Sequence, residues 1–177
     1  YFNREMKNHY SSSVLVGEHV YGFNSTVLTA MNLKSGEVAW RDRTVGKGSV
    51  TYADGHLYVY GEKGGVALVE ATPSAYKEKS RFSIPSGEFN TWTPPVIANG
   101  LLYLASTSDD TLRAYDAATG KPVWHFIAGG PIRFAPQVDA GRLFFASDDG
   151  YVRCLDPATG KPLWTHSPLG TTTGRRA

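Results

Sequence analysis

Two pairs of adjacent carboxylates, Asp109-Asp110 and Asp148-Asp149, carry the densest negative charge in this chain, and Gly150 follows the second pair. Oxygen ligands at that density suit a hard cation such as Ca²⁺. The same dipeptides, Asp-Asp and Asp-Gly, are also ordinary hairpin-turn chemistry. They stand at the same place in successive units of the chain, and Glu62-Lys-Gly-Gly65 is the equivalent turn one unit earlier. That recurrence assigns them to turns. The five histidines, at 9, 19, 56, 125 and 166, show no metal-ligand spacing. His9, between Asn8 and Tyr10, is the one best placed for a role outside a strand. Val45-Gly-Lys-Gly-Ser49 echoes a phosphate loop, but the spacing of that motif is missing and no helix-period pattern follows it. Cys154 is the only cysteine, which excludes an intramolecular disulfide. Asn24-Ser-Thr26 satisfies the glycosylation sequon, a common chance match. The sequence offers no catalytic residue and no metal-ligand set.

The elements that position these residues come from a repeat. Asp116-Ala-Ala-Thr-Gly-Lys-Pro-Val-Trp124 and Asp156-Pro-Ala-Thr-Gly-Lys-Pro-Leu-Trp164 are nearly the same nine residues. A third copy is Asn32-Leu-Lys-Ser-Gly-Glu-Val-Ala-Trp40. Midway between Trp40 and Trp124 stands Phe82, an aromatic at the phase of a fourth tryptophan. A unit of roughly 40 residues cannot bury its own apolar faces and must stack on neighbours of its kind.

A second signal runs in register with the first. A glycine precedes an aromatic by three or four residues at Gly17/Tyr21, Gly55/Tyr58, Gly100/Tyr103 and Gly141/Phe144. Short β-rich runs flank each glycine, such as Ser49-Val-Thr-Tyr52 and Leu57-Tyr-Val-Tyr60. Gly, Asn or Asp marks the reversals. The one helix-compatible stretch, Ser74 to Ser80, is short and follows Pro73. The expected fold is all-β: four antiparallel strands per unit, stacked as propeller blades near 11–50, 51–91, 92–132 and 133–170, in one domain over 1–177. Each Thr-Gly reversal needs φ > 0 at glycine, and each Asp accepts backbone N–H groups in the turn. The indole that follows presents a large apolar face to the neighbouring sheet and an N–H that needs a partner. Trp40, Phe82, Trp124 and Trp164, with Asp116, Gly120, Asp156 and Gly160, are therefore assigned to blade docking. Trp92, in Asn90-Thr-Trp-Thr-Pro-Pro95, is out of phase at the entry to the third blade. It is the weak candidate for stacking on a cofactor; capping the channel core is the competing assignment.

At the Asp-x-x-Thr-Gly-x-x-x-Trp element the chain resembles the PQQ-like (quinoprotein-type) β-propeller repeat family. Residues 114–124 match its pattern through Ala114, Asp116, Thr119, Gly120 and Trp124; residues 154–164 match with Cys154 for Ala; residues 30–40 match with Asn32 for Asp and Ser35 for Thr. The resemblance implies tryptophans that tie the ring together, a ring of about eight blades, and a periplasmic or cell-surface bacterial setting. It implies two functional classes. One is a non-enzymatic scaffold for protein–protein interaction, similar to the propeller lipoproteins that assist outer-membrane β-barrel assembly. The other is a segment of a PQQ-dependent dehydrogenase, with PQQ, Ca²⁺ and a carboxylate base. The family's dehydrogenases often carry a vicinal Cys-Cys pair, and this chain has none.

Four such blades make half a ring, so the expectation is a half or fragment of a larger propeller, ahead of a closed four-blade ring. The expected partners are proteins or further blades of the same protein, with a ring-completing homodimer among the options. The chain opens at Tyr1-Phe-Asn-Arg without an initiator Met or a signal peptide and is read as a mature product or, first, as a segment. A formal charge of +2 implies no nucleic-acid field. No run of 18 apolar residues is present to span a membrane as a helix.

Overall fold

A computed structural model describes residues 4–168. The opening Tyr1-Phe-Asn, and residues 169 and 170 at the end of the fourth expected blade, lie outside them. The described residues form four four-stranded antiparallel sheets, each hydrogen-bonded in chain order. The first holds β1 (Val14–Val16), β2 (His19–Asn24), β3 (Val27–Asn32) and β4 (Val38–Asp42). The second holds β5 (Gly48–Ala53), β6 (His56–Gly61), β7 (Gly65–Glu70) and β8 (Glu78–Ser83). The third holds β9 (Val96–Ala98), β10 (Leu101–Ala105), β11 (Thr111–Asp116) and β12 (Pro122–Ile127). The fourth holds β13 (Gln137–Asp139), β14 (Arg142–Ala146), β15 (Val152–Leu155) and β16 (Pro162–His166). This is the expected all-β class.

One boundary differs from the sequence reading. The break expected between residues 50 and 51 falls inside β5, so the second sheet starts at Gly48. Nothing in Ser74 to Ser80 is helical; its end enters β8.

One turn explains why the third and fourth strands of three sheets are alike. The Gly120 N–H donates to the Asp116 carbonyl at 2.8 Å, and the Asp116 N–H donates to Lys121 at 2.8 Å. Asp156 and Gly160 repeat these bonds at 2.9 and 2.8 Å, and Asn32 and Gly36 repeat them at 2.9 Å. The glycines sit at φ 69°, 70° and 75°, the left-handed region that a side chain resists. A bulge follows each time, after Ala30, Ala114 and Cys154, opposite Trp40, Trp124 and Trp164.

In the second sheet the loop that replaces this turn closes from Glu70 to Lys77, and its bulge after Leu68 pairs with Ser80. Ser80, not Phe82, is thus the register equivalent of the tryptophans. Phe82 lies two residues further along β8, opposite Val66. Because strand side chains alternate with period two, it still faces the same way.

Three apolar clusters glue the sheets in sequence. Tyr21, Phe23, Leu28, Ala30 and Trp40 meet Val50, Leu57, Val59, Ala67 and Val69. Tyr58, Tyr60 and Val66 meet Leu102, Leu104 and Tyr115. Tyr103, Ala105, Leu112 and Ala114 meet Leu143, Phe145 and Leu155. Among the described residues no such cluster joins the fourth sheet to the first. The innermost strands are tied by hydroxyls: Ser11 to the Gly48 carbonyl at 3.3 Å, Ser49 to Thr93 at 3.2 Å, and Thr51 to Pro95 at 2.7 Å.

Candidate functional site

The best-built polar chemistry lies where one sheet meets the next. The Trp40 Nε1–H donates to the Thr72 carbonyl of the second sheet at 2.8 Å, and Trp40 is 8% exposed. The Trp124 Nε1–H donates to the Pro157 carbonyl of the fourth sheet at 2.9 Å. A Cβ on Gly160 would stand 2.6 Å from the Trp124 ring, so the indole rests on bare backbone. Phe82 covers Gly120 in the same way, with 3.3 Å to a built Cβ, and meets the Tyr115 ring at 4.7 Å. Asp116 Oδ1 accepts the Thr119 N–H and hydroxyl, both at 2.7 Å. Asp156 accepts the same pair from Thr159 at 2.8 Å. These hydrogen bonds hold both carboxyls below their ordinary range. Trp164 lies on the outer side of the last sheet and is 42% exposed.

Sequence reasoning noted the tyrosines after the first-strand glycines but not their reach. The Tyr103 hydroxyl donates to the Pro157 carbonyl at 3.1 Å, and Tyr58 to Ala117 at 3.3 Å. The recurring Gly-to-Tyr spacing was the available signal.

The adjacent carboxylates are occupied by arginines four residues on. Asp109 accepts from Arg113 and, at 2.6 Å, from Thr111. Asp149 accepts from Arg153 at 2.6 Å, from the Gly129 N–H at 2.8 Å, from the Tyr151 N–H at 3.1 Å and from Ser147. Asp148 pairs with Arg133 at 2.6 Å. Burial raises both Asp109 and Asp149, but these donors outweigh it, bringing Asp109 to about 2 and Asp149 well below the carboxylate range. Asp110 is pushed up by burial and by Asp109, Asp148 and Asp149. The spacings Asp109/Arg113 and Asp149/Arg153 were visible in the sequence but unread as pairs.

A depressed carboxyl stabilises the fold above its unfolded value and loses that contribution as pH falls through its folded value. For Asp109 the window runs from about pH 4, the ordinary value, down to about 2. Asp109→Asn is expected to lower stability at neutral pH and to flatten the acid limb over that window. Urea midpoints measured at a series of pH values check it.

Trp92 is 51% exposed. Its Nε1–H donates to Glu62 at 3.2 Å, and Tyr10 stacks on it at 5.7 Å between ring centroids. Lys47 lies 3.9 Å from Glu62 and 5.4 Å from the Tyr10 ring centre. Burial, then the Glu62 charge, raises the Tyr10 phenol. Among the described residues no group of three or more His, Cys, Asp or Glu converges to hold a metal. Half-exposed, with its donor taken by Glu62 and Tyr10 stacked on it, Trp92 is not part of an enclosed slot for a quinone, and among the described residues no group of three cation ligands adjoins it. The described residues therefore do not fit PQQ with Ca²⁺.

At the end where each sheet's last strand crosses to the next sheet, large side chains stand in solvent. Phe89 is 70% exposed and Phe134 76%. Their loops are pinned to the following sheet: the Gly87 N–H donates to Ser108 Oγ at 2.8 Å, and the Asp148 N–H donates to the Pro131 carbonyl at 2.9 Å.

The family described as "Outer membrane protein assembly factor BamB" matches residues 77–176. No curated protein sequence matches significantly. Among solved structures, BamB from Moraxella catarrhalis is similar at a TM-score of 0.68 and 17% identity, over 83% of this chain and 48% of that one. A quinohemoprotein alcohol dehydrogenase from Comamonas testosteroni is similar at 0.75 and 17%, over 93% and 36%. The quinohemoprotein alcohol dehydrogenase ADHIIG from Pseudomonas putida HK5 is similar at 0.74 and 14%, over 94% and 35%. The chain thus spans less than half the length of each. At these identities the likeness establishes the shared fold.

Proposed function

The chain belongs to the PQQ-like β-propeller repeat family described as outer membrane protein assembly factor BamB, and on that basis we propose that it is a non-enzymatic propeller scaffold that binds protein partners in the periplasm or at the cell surface. One observation carries the reading: Phe89 and Phe134 stand exposed on anchored loops that each lead from the last strand of one sheet to the first strand of the next. Large aromatics held on a rigid frame are the usual anchors of a protein interface. Their backbone is already fixed, so little ordering entropy opposes binding.

The family description points to the outer-membrane β-barrel assembly machinery as the partner to assay. The purified chain is expected to bind it, and Phe89→Ser with Phe134→Ser to weaken binding by at least about 30-fold, the scale of an anchor worth 2 kcal/mol or more. Both substitutions should leave the thermal midpoint unchanged. Wild-type affinity in the double variant would count against the reading.

A segment of a PQQ-dependent dehydrogenase is the second reading, supported by the coverage of this chain by two alcohol dehydrogenases. Its active site would need further blades. Added PQQ and Ca²⁺ are expected to cause neither tryptophan quenching nor dye reduction with alcohols or sugars. Saturable quenching lost in Trp92→Ala, together with turnover, would favour the enzyme.

A further inference from the structure

Trp92 stands on a fixed platform. The flanking Thr91 and Thr93 are buried. The Thr91 N–H donates to the Glu62 carbonyl at 3.1 Å, and the Thr93 hydroxyl donates to the Ala105 carbonyl at 2.6 Å. The indole N–H lies in the ring plane and goes to the Glu62 carboxylate, so the ring faces remain for stacking. One face carries Tyr10, with 29° between the rings. Lys47 lies over the Tyr10 ring as a cation over a π-face, and His9 meets it in a T-shaped contact at 5.9 Å.

This fit has one defect. The Tyr10 hydroxyl is buried and has no hydrogen-bond partner among the described residues. A buried, unpartnered hydroxyl opposes its own burial. A phenyl ring brings the same apolar faces without that cost. The segment that delivers Tyr10 is also lightly held. Residues 5–13 join no sheet. Their ties to the sheets include Met6 resting on Gly22, the half-exposed Glu5–Arg41 pair and two long hydrogen bonds. In those bonds the Ser25 N–H donates to the Lys7 carbonyl at 3.4 Å, and the Ser11 hydroxyl donates to the Gly48 carbonyl at 3.3 Å. Segments with few, exposed bonds open at low free-energy cost.

We propose that the Tyr10-bearing face of Trp92 is a docking site for an aromatic side chain of a protein partner, phenylalanine above tyrosine, and that Tyr10 is its internal, displaceable occupant. The inference rests on the scaffold reading only for the ligand being a protein; it uses neither Phe89 nor Phe134. Lys47 offers an incoming ring the cation contact that it gives Tyr10, and Glu62 holds the indole throughout. Exchange trades a phenol for a phenyl and releases residues 8–11, so binding is coupled to loosening of that segment.

The probes are acetylated, amidated tripeptides His-Phe-Ser, His-Tyr-Ser and His-Ala-Ser, which keep the neighbours that Tyr10 has in the chain. Binding is read from the nuclear magnetic resonance signal of the Trp92 indole N–H, assigned by its loss in Trp92→Phe. In the full chain carrying Tyr10→Ala, the Phe peptide is expected to shift that signal saturably. It should bind at least about fivefold more tightly than the Tyr peptide, the effect of one buried unpartnered hydroxyl, and the Ala peptide should not saturate. The wild-type chain should bind the Phe peptide several-fold more weakly, because Tyr10 competes. Three results overturn the inference: no saturation by the Phe peptide, Tyr peptide binding as tight as Phe, or equal affinity in the two chains. Tyr10→Phe gives an independent measurement if Tyr10→Ala does not fold. It should slow amide exchange over residues 8–11 by about fivefold, and unchanged or faster exchange there overturns the inference as well. Failure of these tests leaves the Phe89 and Phe134 binding assay standing, and failure of that assay alone leaves the tripeptide result standing.

Discussion

Trp124→Ala is expected to destabilise the chain by about 3–5 kcal/mol, the usual cost of removing a large aromatic from a packed site. Three losses coincide. The indole leaves a void between the third and fourth sheets, beside Tyr103. The Pro157 carbonyl loses its Nε1–H donor. The bare backbone at Gly160 loses the surface that covers it. Trp164→Ala, although chemically identical, is expected to cost about 1 kcal/mol or less, because surface changes rarely exceed that and Trp164 is 42% exposed. Equilibrium urea unfolding of the two variants side by side checks the contrast. A loss below about 1 kcal/mol at Trp124 would remove the docking role from the repeat's tryptophan.

Gly160→Ala is the complementary change, made in the socket instead of the knob. At φ 70° the alanine meets the left-handed penalty of about 1–2 kcal/mol. Its Cβ would also stand 2.6 Å from two Trp124 ring atoms, and overpacking of that kind costs about 1–3 kcal/mol more. The two contributions can be separated. In a Trp124→Ala background the ring is gone and only the backbone penalty remains, so the two losses should be non-additive by about 1–3 kcal/mol, as expected for residues in contact. Gly36→Ala, whose turn has the same hydrogen bonds, shares the backbone penalty. Thermal midpoints of the single and double variants decide it. Strict additivity would mean that Trp124 does not rest on Gly160.

Local chemistry was legible because the repeat prints it three times. Asp116, Thr119 and Gly120 encode their turn through bonds that span four residues, so neighbours in sequence suffice to read it. Phe82 shows the limit of phase counting. A 42-residue spacing marks it as a tryptophan equivalent, yet the longer loop from Glu70 to Lys77 shifts the register and puts Ser80 there. The aromatic survives in function because two residues along a strand return to the same face. The arginine partners of Asp109 and Asp149 were within four residues and still unread, because turn acidity and ligand acidity look alike until the donors are seen.

The sequence by itself determined the all-β class, the four units, the turn at each Asp-x-x-Thr-Gly element and the family, since each rests on short-range spacing repeated along the chain. Only the tertiary structure decided which tryptophans are covered. Trp124 and Trp164 sit in nearly identical nonapeptides, and they differ in whether another sheet covers them among the described residues. It also decided that Trp92 meets Tyr10 and Glu62, residues 82 and 30 positions away in the chain. The physical reason is common to both: burial belongs to the neighbour that arrives from elsewhere in the chain, and no local pattern encodes that arrival.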